Sequence, residues 1–385
     1  MLSQLTAKPA RLAFAAIAVV LLAAGVWTII WWRATVMAQT AIDNWRSAEA
    51  RRGNTYRCAS LSISGYPFRI EVRCAGVEAE LASAHPAALI RTPAVTVVAQ
   101  IYDPSLFIGE ITGPLTLADP DRPGTTFSAD WDLAQTSVRI DAATFKRISV
   151  VFDGLRVVRP GEAAADSIAQ VDRLEWHVRP SPRASADQVD LDVAVRLAGA
   201  TAAGVADWAR TPFDADIVTS LRNVGFLRPK SLPALLRDVQ AAGGRVEITQ
   251  ARIAQGETLA IASGVLSLTP RGRLDGTVQL TVAGLERLMT SQGALGKFAD
   301  VLAANKVAPP DRMNELKPAL GALNRLLPSL GIGRREAEAG AAASLALIGR
   351  PTQLEGRPAT ALALRFGDGA VSLGPISLGE VAPLF

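Results

Sequence analysis

The side-chain pattern predicts a mainly β protein with accessory α structure: a curved antiparallel sheet with helices packed on or in it, preceded by one transmembrane helix. Three observations predict it. Residues 12–32 form an uncharged run of twenty-one residues. Most of the chain beyond residue 53 alternates apolar and polar positions with a period of two. These runs follow one another across short Gly or Pro turns, as in antiparallel meanders, rather than across helices. With 385 residues, 49% hydrophobic and 20% charged, the chain can also bury a sizeable core, which excludes intrinsic disorder.

The uncharged run reads LAFAAIAVVLLAAGVWTIIWW, and at ~1.5 Å per helical residue it spans a hydrocarbon layer of ~30 Å. Trp27, Trp31 and Trp32 crowd its C-terminal end, where indole rings favour the headgroup level, and Arg33 follows at once. Lys8 and Arg11 mark the other end, and no acidic residue precedes Asp43. The expected topology is single-pass in a bacterial inner membrane, with residues 1–11 as a cytoplasmic tail, 12–32 as the anchor and the C-terminal body in the periplasm. The alternative is a cleaved signal peptide, with Val36-Met37-Ala38 as the small-residue site. A signal-peptide apolar region is usually shorter than this one and does not end in bulky tryptophans.

Residues 33–53 are expected to form a helical extension, with Ala38, Ala41, Ile42 and Trp45 on one stripe and a breaker at Arg51-Arg52-Gly53. Next comes YRCASLSISGYPFRIEVRCAGV, two strand-like runs around a turn at Ser64-Gly65-Tyr66-Pro67. A hairpin centred on Tyr66 sets Cys58 directly opposite Cys74, within reach of a disulfide that would persist only in an oxidising space. The alternative is two buried thiols. Gly65, Tyr66, Pro67, Phe68 and Arg69 read either as a stapled folding element or as a recognition surface.

Two β-rich regions follow, 54–230 and 231–385. Val189, Leu191, Val193, Val195 and Leu197 alternate with polar residues, as do Leu274, Val278, Leu280 and Val282. Further strands are expected at 94–102, 127–140, 147–158, 168–178, 213–221, 245–253, 259–269, 344–348, 360–366 and 370–378. One helix is expected at 231–241, behind a serine cap and an N-terminal proline. A helical insertion is expected at 285–330. Within it Met313, Leu316, Leu320, Leu323 and Leu327 lie on one stripe, read as a helix packed on the sheet or as a lid or plug over an apolar groove.

Chemistry-bearing motifs are missing. The chain has no G-x-S-x-G, P-loop, H-E-x-x-H or G-x-G-x-x-G, and two histidines and two cysteines leave little for a transition-metal site. His177 falls on the polar face of LEWHVRP, and His85 precedes Pro86 in a turn. Asp119, Asp121, Asp130 and Asp132 read as solvated residues without calcium-site spacing. No metal, no cofactor and no catalytic residue is expected. Net charge is +4, and beyond Arg33 basic and acidic residues stand at 37 to 36, so no nucleic-acid partner is expected.

The Ser64-Gly65-Tyr66-Pro67-Phe68-Arg69 turn between Cys58 and Cys74, the segment YDPSLFIGEITGPL and the ending FGDGAVSLGPISLGEVAPL resemble an uncharacterised bacterial family. It is the domain of unknown function numbered twenty-one twenty-five. The resemblance covers nearly the whole exported part and implies topology more than mechanism. At the level of architecture alone, a strand-rich body on one N-terminal helix is similar to the AsmA-like envelope proteins, associated with phospholipid passage between membranes. The expected function is therefore non-enzymatic: an anchored periplasmic protein in contact with the bilayer, binding a lipid or other apolar ligand on its sheet in cell-envelope maintenance. The alternatives are an envelope scaffold that binds another protein, and a hydrolase built on scattered Ser, Asp and His residues.

Overall fold

The computed structural model describes residues 7–82, 87–120, 126–141, 144–159, 167–182, 190–203, 207–224, 232–285, 349–374 and 376–385. It is mostly β, with every resolved strand pairing antiparallel, and the chain divides into two compact units, Met1–Lys146 and Arg147–Phe385. Period-two sequence has become strand because alternating Cβ directions give each run one apolar and one polar face.

The first unit opens with α1 (Ala7–Ala50), so the apolar run and the expected extension form one unbroken helix. It is long and apolar enough to cross a membrane. It ends as the sequence predicts, with Arg52 and Gly53 amides turning back to the carbonyls of Glu49 and Ala50 and Gly53 at a φ of 87°. β1 (Asn54–Ser64) and β2 (Arg69–Leu81) form the hairpin, and β2 pairs with β3 (Ala88–Gln100). β3 pairs with both β4 (Asp103–Thr112) and β5 (Leu115–Ala118), which in turn pair with β7 (Leu133–Asp141) and β6 (Thr126–Asp130). The run expected at 127–140 is thus two strands. They break at Trp131-Asp132, where the Trp131 indole donates to the Ile111 carbonyl at 2.9 Å.

The second unit holds β8 (Thr144–Val158, whose first residues belong to the first unit), β9 (Ala169–Pro180), β10 (Leu191–Ala200), β11 (Phe213–Arg222), β12 (Arg245–Gln255), β13 (Thr258–Leu268) and β14 (Leu274–Ala283). Each pairs with the next, and β14 pairs with β16 (Arg357–Gly367). β15 (Arg350–Leu354) and β17 (Ala370–Leu373) also pair with β16, and β18 (Ile376–Glu380) pairs with β17. The helix expected at 231–241 is α2 (Leu232–Ala241). A 3-10 turn, Asp207–Arg210, precedes β11. Its Ala209 is buried with Val171, Ala200, Phe213 and Ala215, forming one core cluster; Leu259, Ala283 and Ala359 form another. The strand expected at 344–348 and most of the helical insertion at 285–330 lie outside the described residues.

Candidate functional site

Two surfaces stand out, one in each unit. The first is the β1–β2 hairpin against α1. Half-buried positions on α1 recur at Trp27, Trp31, Ala34, Ala38, Ile42, Arg46 and Glu49, three to four residues apart, which is the face that lies on the hairpin. Ala41 and Trp45, expected on the same stripe as Ala38 and Ile42, lie on the exposed flank, because the contact face runs one position further round the helix. Trp45 still meets Tyr56, tilted at 44° with ring centroids 4.5 Å apart, and Arg46 Nη2 donates to Cys58 Sγ at 3.0 Å. At the other end the Trp27 indole donates to the Pro67 carbonyl at 2.7 Å and the Trp31 indole to the Arg69 carbonyl at 2.9 Å. The Thr28 and Tyr66 hydroxyls share a hydrogen bond at 2.9 Å, and Trp31 meets the Tyr66 ring edge-on at 5.4 Å. The chain therefore leaves α1 at Ala50 and β1 runs back along it, from Trp45 to Trp27.

The disulfide between Cys58 and Cys74 forms, but not by direct opposition. Ser64 lies opposite Glu71 and the Arg69 amide closes the turn onto the Gly65 carbonyl at 3.1 Å, so the ladder centres between Pro67 and Phe68 rather than on Tyr66. Cys58 then pairs with Val77 and Cys74 with Leu61. In a straight ladder such a diagonal is about 11 Å. The observed Cα separation is 5.4 Å because β2 bends at Gly76, whose φ is 58° and which, with Ala59, drops out of the pairing. A Cβ on Gly76 would sit 2.7 Å from that of Ala59, so the bend requires glycine on space as well as on φ.

Of the five turn residues, Gly65 takes a φ of 103°, Pro67 and Arg69 offer their carbonyls to α1, and Tyr66 gives one edge to Trp31. The Tyr66–Pro67 peptide bond is cis. Phe68 is left 64% exposed. The β3–β4 turn lies beside it, with the Ile101 amide bonded to the Phe68 carbonyl at 3.1 Å and Tyr102 exposed.

The second surface is a sheet face in the second unit. Residues paired across a ladder project to the same side, so the rows can be followed from β8 to β16. Phe152, Leu174, Leu197, Ala215, Ile253, Ala260, Val282 and Thr360 form one row. Val150, Trp176, Val195, Ile217, Ala251, Ala262, Leu280 and Leu362 form the next. Ile148, Val178, Val193, Thr219, Ile248, Gly264, Val278 and Leu364 form the third. A bulge between Ile248 and Ala251 keeps both on this face. Within these three rows only Trp176, Thr219 and Thr360 carry a side-chain polar atom.

The opposite face carries charge. Arg173 pairs with Asp153 and Glu175, Arg196 with Asp216 and Glu175, and Arg252 with Glu355, at 2.7 to 3.7 Å. The Arg173 hydrogen bond holds the Glu175 carboxyl below its ordinary range, and that of Arg252 does the same for Glu355. At the edge of this face Arg222, with 11% of its side chain exposed, bonds Glu247 at 3.0 Å and Asp190 at 3.3 Å, which lowers Glu247.

His177 lies on the charged face, as its alternation predicts, 3.4 Å from Glu175. No serine or cysteine nucleophile is bonded to it among the described contacts. Asp130 caps the Trp131 amide at 3.0 Å, and among the described residues no His, Cys, Asp and Glu group is arranged to hold a metal. His85, Asp121, Met313, Leu316, Leu320, Leu323 and Leu327 lie outside the described residues. The contact between the Trp27–Thr28–Trp31 edge of the helix and the hairpin turn was not legible in the sequence. Its partners lie 38 to 40 residues apart, and each half has a complete local explanation.

A membrane-length apolar helix, a disulfide-closed hairpin laid along it and a sheet apolar on one side define a helix-bearing antiparallel β protein. The chain belongs to the family described as an uncharacterised protein conserved in bacteria, DUF2125, whose model matches residues 31–382. That match begins at Trp31, so it takes in Trp31, Trp45 and Arg46 of the α1 side chains that meet the hairpin, while Trp27 and Thr28 precede it. No curated protein and no solved structure matches the chain.

Proposed function

We propose that this is a non-enzymatic, single-pass protein of the bacterial inner membrane, with its N-terminus in the cytoplasm. Its periplasmic β body binds a lipid or other apolar ligand on the second unit's apolar face, in the service of the cell envelope. The observation that carries the reading is the register. Twenty-four positions on eight strands present one almost uninterrupted apolar surface, while the reverse side is laced with Arg–carboxylate pairs. Apolar surface on this scale is rarely left without a ligand or partner. The anchor reading draws on the uncharged run and its tryptophan end, and the compartment on the Cys58–Cys74 bridge, which persists in oxidising spaces.

A photoreactive benzophenone side chain tests it. Placed in cells at Trp176, which is 37% exposed on the apolar face, it is expected to capture phospholipid; placed at Arg196 on the charged face, it is not. Protein adducts at Trp176 in place of lipid would instead support the scaffold reading. No adduct at Trp176 above the Arg196 background would overturn ligand binding on this face.

A further inference from the structure

The hairpin turn meets α1 inside the apolar run, and that placement has a physical consequence. Trp27, which bonds the Pro67 carbonyl, lies six residues before Arg33, or ~9 Å down the helix axis. Trp31 holds the Arg69 carbonyl one turn higher. Any bilayer that takes in the uncharged run to its end therefore also takes in the apex of the turn. The side chains presented there suit that depth. Phe68 is 64% exposed, Tyr66 53% and Tyr102 68%, and two of the three end in a hydroxyl. Aromatic groups with one polar end are favoured at the headgroup level.

Several polar groups that lipid would otherwise strand have partners. The Pro67 and Arg69 carbonyls accept from indoles, the Phe68 carbonyl accepts from the Ile101 amide, and the Tyr66 hydroxyl is bonded to Thr28. Backbone entering a bilayer is tolerated when its hydrogen bonds are closed in this way.

We propose that the β1–β2 turn, with Phe68 at its apex and Tyr102 beside it, is a second membrane contact, seated at the headgroup–acyl boundary next to the tryptophan end of α1. The occupant of this exposed aromatic patch is the lipid of the leaflet that α1 enters. The contact would fix the height and rotation of the first unit, because a helix alone leaves a body free to turn about its axis. The inference rests on the reading of α1 as a membrane span.

The test uses the full chain, oxidised, in phosphatidylethanolamine–phosphatidylglycerol vesicles, with nitroxide labels on single added cysteines. The variants are Phe68→Cys, Val20→Cys in the middle of the apolar run and Arg91→Cys at an exposed position of β3. Cys58 and Cys74 are bridged and do not label. At position 68, collision with dissolved oxygen is expected to dominate over collision with a water-soluble nickel chelate, with a several-fold lower nickel rate than at position 91. Position 68 should report a shallower depth than position 20. A nickel rate at 68 equal to that at 91, with position 20 buried in lipid, would overturn the second contact and leave the anchor standing. Water exposure at position 20 as well would overturn the anchor itself. Tyr102→Cys repeats the measurement from the neighbouring turn, in case a label at 68 disturbs the hairpin.

Discussion

In the first unit the leading strands are tied to more than their ladders: β1 and β2 are also bridged by a disulfide and strapped to α1 by three indoles and an arginine. In the second unit eight strands are tied chiefly to one another, by successive antiparallel ladders with rows of paired charge on one side and aliphatic side chains on the other. A two-stranded hairpin is marginal by itself and needs a staple or a surface to lie on, whereas a broad sheet stabilises each strand through both neighbours. The small unit thus adds a few strong, local devices to its ladders, and the large one relies on many weak, repeated ones.

The sharpest way to break that contrast is to remove an interaction on which the second unit does depend singly. Arg222→Ala leaves Asp190, only 10% exposed, without its cation, and Glu247 with Arg245 as its remaining one. The expected loss is about 3–5 kcal/mol, read as a lower urea midpoint for the whole protein; a change below about 1 kcal/mol would mean that the cluster is solvated. Next in size is the Cys58→Ser, Cys74→Ser double variant. Opening a loop with a sequence separation of 16 should cost about 2–4 kcal/mol. Faster hydrogen exchange should appear in residues 54–81 and not in 213–255, and equal acceleration in both would erase the distinction between the units.

Acid sharpens the comparison from the other side. Glu175, Glu247 and Glu355 have folded pKa values below their ordinary 4.5, chiefly through hydrogen bonds from Arg173, Arg222 and Arg252. A depressed carboxyl adds stability that is fully present above its unfolded pKa and is lost as pH falls through the folded one. Titration from pH 6 downward should therefore leave the protection of β9 to β13, after correction for the intrinsic pH dependence of amide exchange, unchanged until about pH 4.5 and lower it below; a loss already complete above pH 5 would contradict the sign. The smallest expected effect is Trp27→Phe, which keeps the ring and deletes the indole bond to the Pro67 carbonyl. About 1 kcal/mol of hairpin docking should go, seen as faster exchange at the turn with the second unit unaffected.

Much of this architecture was readable residue by residue. The alternation Val193, Val195, Leu197 against Asp192 and Arg196 placed β10 and its faces correctly, and Leu174, Trp176 and Val178 did the same for β9. Helix α1 announced itself by twenty-one uncharged residues, and its end by Arg51-Arg52-Gly53. Strands β4 and β5 were not picked out, since Pro104, Gly109, Gly113 and Pro114 blur the period there. The hairpin register was displaced because turn geometry, not the symmetry of two cysteines, decides which residues oppose.

What the sequence determines is whatever one strand or one helix can enforce alone. Hydrophobic periodicity selects helix or strand and assigns each side chain to a face, because it depends only on backbone repeat and burial. What the tertiary structure decides is which faces meet. That Trp27 and Trp31 hold Pro67 and Arg69, and that eight apolar half-faces merge into one, depends on register and long-range closure. Hydrogen bonds between groups some forty residues apart leave no local trace in the pattern of either segment.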